Sequence, residues 1–221
     1  MPLDTIVHYL LMAWIVALGL LLVRLLWLRL HHQYLLFVIS TALDVVFGAA
    51  TLETGLTSRA AQGLGLLGNT MDIFLAPAIA IELFHPQDRP ALSQVRFLSP
   101  LILMILAAGA VILFLSGSPD NESFQSAAGL AFLADTMVTL FVLSYVVRRY
   151  RQKEVVDRNT LWLRRLFTFE LVMSVLHSLI GPFLEESQFN FFDIGFFATS
   201  VIATAICTLA LRRAPSVPAK A

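Results

Sequence analysis

Apolar residues fall into seven long runs along this chain, and short stretches of turn formers and charged residues separate the runs. Each run is close to the length of about 20 residues that an α-helix needs to cross the hydrocarbon core of a bilayer. The pattern therefore predicts an all-α, polytopic membrane protein with one domain, 1–221, folded as a bundle of seven transmembrane helices. The predicted helices are 5–27, 34–55, 65–84, 97–116, 125–147, 161–183 and 190–211.

Composition agrees with a bilayer as the solvent. Of the 221 residues, 58% are hydrophobic and 14% are charged, whereas a soluble domain carries about 25% charged residues. A chain with so little polar surface is expected to turn apolar side chains towards lipid. Its net charge of zero gives no indication of a nucleic-acid partner.

The basic residues are distributed unevenly between the two predicted faces of the membrane. Of the 15 Lys and Arg residues, only Arg59 falls on the face that also carries Asp4, Glu53 and Glu185. The positive-inside rule then places the N-terminus outside and the C-terminus in the cytoplasm, across a bacterial cytoplasmic membrane. The longest loop is predicted on the basic face, and we expect its bases to contact anionic lipid or a partner protein. These bases are Arg148, Arg149, Arg151 and Lys153.

Several polar side chains are predicted inside the bilayer, where charged groups are costly and are functional candidates by default. Asp44 and Asp135 fall near the midplane, Asp72 in the outer half and Glu170 in the inner half of their predicted helices. The Ser, Thr and Gly residues on the same helical stripes are interpreted as packing residues. The candidate residues for binding a ligand or protons are Asp44, Asn69, Asp72, Asp135, Glu170, His177 and Asp193.

These carboxylates have no Lys or Arg at the same predicted depth. They are therefore either protonated or compensated by water, by His177 or by a cationic ligand. An interior with acids and without bases favours protons, cations or hydrogen-bonding ligands over anions.

Some known uses of a seven-helix bundle do not fit. A retinal protein needs a Schiff-base lysine inside the bundle, but Lys153 and Lys220 are the only lysines and both are predicted in cytoplasmic segments. The chain has neither the clustered histidines of a zinc hydrolase nor a Gly-x-Ser-x-Gly elbow. We therefore expect no catalytic residues, no metal and no cofactor.

Two stretches carry a resemblance. Leu28–Phe37 reads LRLHHQYLLF, and Ala76–Phe84 reads APAIAIELF. This pattern resembles a group of small, uncharacterised bacterial seven-helix membrane proteins. It is more loosely similar to the seven-helix sensor modules of bacterial histidine kinases, although no output domain follows the seventh predicted helix. The resemblance implies a sensor-like role and assigns no functional residues.

The resulting hypothesis is a receptor or sensor that binds a small or lipophilic ligand. Its outward-facing polar pocket would lie between predicted helices two, three, five, six and seven. Signal would pass through the basic fifth loop to a separate partner. The main alternative is a small proton-coupled transporter that uses the same carboxylates, and a third is a lipid-modifying membrane enzyme.

Overall fold

The computed structural model describes residues 3–54, 59–84, 121–152, 155–180, 183–184 and 186–213. These residues form six α-helices and a short 3₁₀ turn between the first two. Helices α4, α5 and α6 correspond to the fifth, sixth and seventh predicted helices, and the predicted helix 97–116 lies outside the described residues. The helices are α1 (Leu3–Trp27), α2 (Leu35–Thr54), α3 (Arg59–Phe84), α4 (Asn121–Tyr150), α5 (Arg158–Ile180) and α6 (Glu186–Ala210).

The all-α prediction is confirmed. Among the described residues, four helices are long and apolar enough to cross a membrane, within Thr5–Trp27, Leu35–Glu53, Leu66–Phe84 and Phe191–Ala210. The outer surface carries large apolar side chains, such as Leu209, which is 83% exposed. Exposed apolar surface of this extent is expected where lipid surrounds a bundle.

The six helices pack in a closed ring. Each helix contacts the next along the chain, and α6 packs back against α1. We call the end of the ring where α1 ends and α2 begins the basal end, and the opposite end the distal end. The largest fully buried side chains, among them Leu25, Tyr34, Phe84 and Leu211, lie in the basal half of the bundle.

Glu82, near the end of α3, caps the start of α2. Its carboxylate accepts hydrogen bonds from the backbone N–H groups of Leu36 at 2.9 Å and Phe37 at 3.0 Å. The first N–H groups of a helix have no partner within the helix, and a negative charge there also meets the positive end of the helix dipole. Glu82 on α3 thus joins α3 to α2, because it pairs the free N–H groups of α2 and places a negative charge at the positive end of its dipole.

Arg164 makes the matching contact from α5 to α3. The side chain is only 4% exposed. Its Nε donates to the carbonyl oxygen of Leu83 at 2.7 Å, and its guanidinium lies 4.6 Å from the centre of the Phe84 ring. A cation at the carbonyl end of a helix is favourable, because the last carbonyls are unpaired and carry partial negative charge.

Helix α5 begins three residues before its predicted start, because Asp157 caps it. The Asp157 carboxylate accepts hydrogen bonds from the backbone N–H groups of Asn159 and Thr160, both at 3.0 Å. The Thr160 hydroxyl also bonds to Asp157 and lies 2.5 Å from the hydroxyl of Tyr34. The cap therefore sets the start of α5 and connects it to the α1–α2 turn.

The end of α6 is fixed at the same level. The Asn159 amide donates to the Arg212 carbonyl at 2.8 Å and accepts from the Arg212 backbone N–H at 2.9 Å. From the other side, Arg24 on α1 donates to the Leu211 carbonyl at 3.0 Å. The C-terminal end of α6 is thus held between α5 and α1.

Helices α3 and α4 run in the same direction. The ring of Phe84, the last residue of α3, packs edge-on against the ring of Tyr150, the last residue of α4, with centroids 5.4 Å apart. Both helices therefore end at the basal end, although they are neighbours in the ring.

The Glu82 cap predicts a specific loss of stability. Glu82→Gln keeps the shape of the side chain but removes the charge and one of the two acceptor oxygens. We expect the free energy of unfolding to fall by about 1–2 kcal/mol and the melting midpoint to fall by roughly 2–8 °C.

Melting can be followed in detergent with a dye that fluoresces on reacting with Cys207, the one cysteine of the chain, which is buried. Glu53→Gln, an exposed carboxylate on α2, is the matched control. Equal midpoints for the two variants would contradict the capping role.

Candidate functional site

A cavity of about 270 Å³ lies inside the ring, and all six described helices contribute to its wall. Helix α1 contributes Trp14, Leu18 and Leu21, although the sequence reasoning left the first helix out of the pocket. Three aromatic side chains from other helices, Phe37, Phe167 and Phe196, complete much of the apolar wall.

Four carboxylates line this one cavity, and each comes from a different helix. Asp44 lies on α2, Asp72 on α3, Asp135 on α4 and Glu170 on α5. The sequence predicted each of them inside the bilayer, and the ring arrangement brings them together.

Each acid has a small side chain one helical turn away on the same wall. Residues four apart lie on one face of a helix, so one local pattern brings both members of each pair to the cavity. The pairs are Ser40 and Asp44, Asp72 and Ala76, Asp135 and Thr139, and Glu170 and Ser174. Small neighbours leave space beside each carboxylate instead of filling it.

The acids lie at different heights along the bundle. Arg164 and Leu83 are in contact at the basal end. From that level, Glu170 lies about 9 Å along α5 and Asp72 about 16 Å along α3, at 1.5 Å per residue. The backbone positions of Glu170 and Asp72 therefore differ in height by roughly 7 Å. Asp72 lies farther from the basal end than Glu170.

No Lys, Arg or His is among the described residues that line the cavity. The buried arginine of α5, Arg164, is engaged with α3 at the basal end. When ionised, Asp72 is repelled by Asp44 and by Asp135, and Glu170 is repelled by Asp44. Several like charges in an apolar bundle need compensation by a cation or by protons.

Two further polar atoms on the cavity wall have no hydrogen-bond partner among the described residues. They are the indole Nε1 of Trp14 and the hydroxyl oxygen of Thr204. Thr204 is fully buried. Buried polar atoms are nearly always paired in native structures, so these two atoms are exceptions on the cavity wall.

His177 and Asp193 are not among the described lining residues, and they pair with each other instead. His177 Nε2 lies 3.1 Å from an Asp193 carboxylate oxygen, which joins α5 to α6 near the distal end. The His177 ring also packs 5.5 Å from the ring of Phe196, which does line the cavity. His177 therefore contacts a residue of the cavity wall without being one of the described lining residues itself.

The remaining candidates lie elsewhere. Asn69 is on α3, but its side chain is outside the described part of the structure, as is Lys153. Arg148 and Arg151 are exposed near the basal end, and Arg149 donates to the Gln152 side chain at 2.5 Å. Within the described residues, no three His, Cys, Asp or Glu side chains are grouped so as to hold a metal ion.

Sequence reasoning missed Trp14, Phe196 and Thr204 as wall residues. Thr204 lies on a stripe of small and hydroxyl residues, which is typical of helix packing. The spacing of Trp14, Leu18 and Leu21 does put all three on one face of α1. Nothing in that spacing tells whether the face meets lipid, another helix or a cavity.

Comparison with protein-family models, with curated proteins and with solved structures finds no match. The fold and the cavity alone therefore define the class. This is an all-helical protein whose long apolar helices suit a membrane and enclose an acidic cavity.

The unpaired hydroxyl of Thr204 predicts an unusual substitution effect. Thr204→Val keeps the shape and removes the buried oxygen, so we expect the free energy of unfolding to rise by about 1 kcal/mol. Thr160→Val is the matched control, because the Thr160 hydroxyl bonds to Tyr34 and Asp157. Its loss should lower stability by about 1–3 kcal/mol. Thermal melting with the thiol-reactive dye measures both, and equal falls would show that the Thr204 hydroxyl is paired.

Proposed function

We propose that the chain is a seven-helix receptor-type protein of the bacterial cytoplasmic membrane that binds a small cationic ligand in the cavity. The observation that carries the proposal is the convergence of four carboxylates from four helices on one cavity, with no base on its described wall. A positively charged ligand supplies the compensation that such a site needs. Binding would be passed to a separate partner at the basal end.

A seventh helix is supported by the direction of α3 and α4. Both end at the basal end, so the chain must return to the distal end between Phe84 and Asn121. The segment 97–116 contains no charged residue, and about 20 residues are enough to cross a bilayer as a helix. We therefore assign the return to this segment.

The orientation rests on charge. Arg24 and Arg164 lie at the basal end, as do the exposed Arg148 and Arg151. By the positive-inside rule, the basal end faces the cytoplasm. Asp72, which lies farther from the basal end than Glu170, then belongs to the outer half of the bundle.

Two features of the basal end favour ligand binding and signalling over transport of a substrate through the bundle. Below the cavity, fully buried side chains such as Leu25 and Leu83 fill the ring. The buried contacts of Glu82, Arg164 and Asn159 fix the helix ends at that level. These contacts also lie at the same end of the bundle as the exposed Arg148 and Arg151, so a ligand that shifts α5 or α6 would alter the surface offered to a partner.

Proton-coupled transport is the second candidate, and one observation favours it. Carboxylates without basic partners at bilayer depth are the groups that proton relays use. The two functions differ in a measurable way, because a transporter moves substrate or protons across the membrane and a receptor does not.

The topology can be tested with single cysteines in a Cys207→Ser background. We expect Thr57→Cys and Ser118→Cys to react with a membrane-impermeant maleimide applied from outside. Asp88→Cys and Lys153→Cys should react only after the membrane is permeabilised. Labelling of positions 88 and 118 from the same side would contradict a crossing by 97–116.

Ligand binding can be read from Trp14, because the chain has three tryptophans and the other two lie off the described cavity wall. In a Trp27→Phe, Trp162→Phe background, tetramethylammonium, butylamine and 1,4-diaminobutane are titrated into protein in nanodiscs. We expect at least one to change Trp14 emission, with affinity about tenfold weaker in Asp44→Asn, a loss of about 1.4 kcal/mol.

Glu53→Gln should bind like the parent protein. Proteoliposomes with an internal pH dye provide the second measurement, and a receptor should show no flux. Flux that Asp44→Asn abolishes would establish transport instead, and no response of Trp14 to any of the three cations would overturn the binding site.

A further inference from the structure

We propose that the ligand class of this cavity is an aliphatic α,ω-diamine with four to six methylene groups. The inference rests on the proposed function, since it assumes that the cavity is the ligand site. It adds the shape of the ligand: two cationic ends joined by an apolar chain.

The placement of the acids calls for two positive groups. Glu170 and Asp72 lie at heights that differ by about 7 Å along the bundle, on helices α5 and α3. One compact cation cannot contact both carboxylates, because a charge-assisted hydrogen bond spans only about 2.7–2.9 Å. Two ammonium groups, one at each level, can compensate both.

The same separation sets the length of the chain between the ammonium groups. An extended backbone advances about 3.5 Å for every three bonds, or roughly 1.2 Å per bond. A separation of about 7 Å thus corresponds to about six bonds, which is a five-carbon diamine. Differences in how each carboxylate reaches the ligand extend the range to four and six carbons.

The wall between the two levels suits an apolar chain. Leu171 of α5 and Ala76 of α3 line the cavity between these two levels, and Phe167 and Ile79 continue the apolar wall on the basal side of Glu170. Methylene groups gain free energy when such a wall removes them from water. An inorganic cation or a short polar cation would leave this surface unused.

An independent observation also indicates a hydrogen-bond donor in the cavity. The hydroxyl oxygen of Thr204 is fully buried on the wall and has no partner among the described residues. A rotation of the Thr204 side chain would present this oxygen, which is closed off in the present conformation, to an ammonium N–H. The ring of Trp14, on the same wall, adds an aromatic surface of the kind that attracts organic cations.

The volume agrees with this size of ligand. The cavity has a volume of about 270 Å³. A diamine of this length has about six to eight non-hydrogen atoms and fits, whereas a drug-sized ligand needs a pocket of roughly 300–1,000 Å³.

The closing experiment compares ligands in the Trp14-only protein in nanodiscs. The diamine series is 1,4-diaminobutane, 1,5-diaminopentane, 1,6-diaminohexane and 1,8-diaminooctane. Pentylamine lacks the second charge, 1,5-pentanediol lacks both charges, and calcium chloride supplies a divalent cation without a chain. We expect one of the three shorter diamines to bind at least tenfold more tightly than pentylamine and calcium, with weaker binding at eight carbons.

A series of variants tests whether Glu170 and Asp72 each bind one ammonium end of the diamine. In Glu170→Gln and in Asp72→Asn, the ratio of diamine to pentylamine affinity should fall towards one, because one of the two carboxylates is lost. Glu53→Gln should keep the parent ratio. The ratio is measured within each variant, so a general loss of affinity does not imitate the effect, and the ligand series in the parent protein decides the matter if a variant does not fold.

The outcomes separate this inference from the proposed function. Pentylamine binding within threefold of every diamine, or an unchanged ratio in both variants, would overturn the diamine and leave a cation site. Calcium binding as tightly as the diamines would do the same. Absence of any Trp14 response to all the cations would overturn both.

Discussion

The pairing of polar groups at helix ends is the constraint on which this bundle depends. At the basal end, Glu82 satisfies the first N–H groups of α2, Arg164 a late carbonyl of α3, and Asn159 the backbone just after α6. Each contact joins two helices through residues that lie far apart in the sequence. In an apolar surrounding, where water does not compete for these groups, such contacts decide which helix ends meet.

The centre of the bundle shows the opposite arrangement. Four carboxylates face a cavity whose described wall has no base, and the Thr204 hydroxyl lacks a protein partner. A protein selected for stability alone would fill this space with apolar side chains. Departures of this kind from full pairing are expected at functional sites, and a cation in the cavity would supply what the wall lacks.

Helices α5 and α6 connect the two regions. Helix α5 carries Glu170 on the cavity wall and Asn159 at the basal end, and α6 carries Thr204 about two turns before the Arg212 backbone that Asn159 holds. A helix is stiff along its axis over this distance, so a small shift at the cavity reaches the basal contacts. Their position at the same end as the exposed Arg148 and Arg151 gives the proposed receptor a short route to a cytoplasmic partner.

The hydrophobic pattern by itself determined the six described helices, since helix formation in an apolar solvent depends on local hydrogen bonding and on the length of apolar runs. It also identified Asp44, Asp72, Asp135 and Glu170 as unusual, because charge at bilayer depth is costly wherever it occurs. Helix starts were less well predicted, and α5 begins early because Asp157 bonds to its first turn. Only the tertiary structure decided that the four acids share one cavity, that Trp14 joins them and that His177 pairs with Asp193. Those outcomes depend on which helix faces meet, and the spacing along one helix does not specify the rotation of its neighbours.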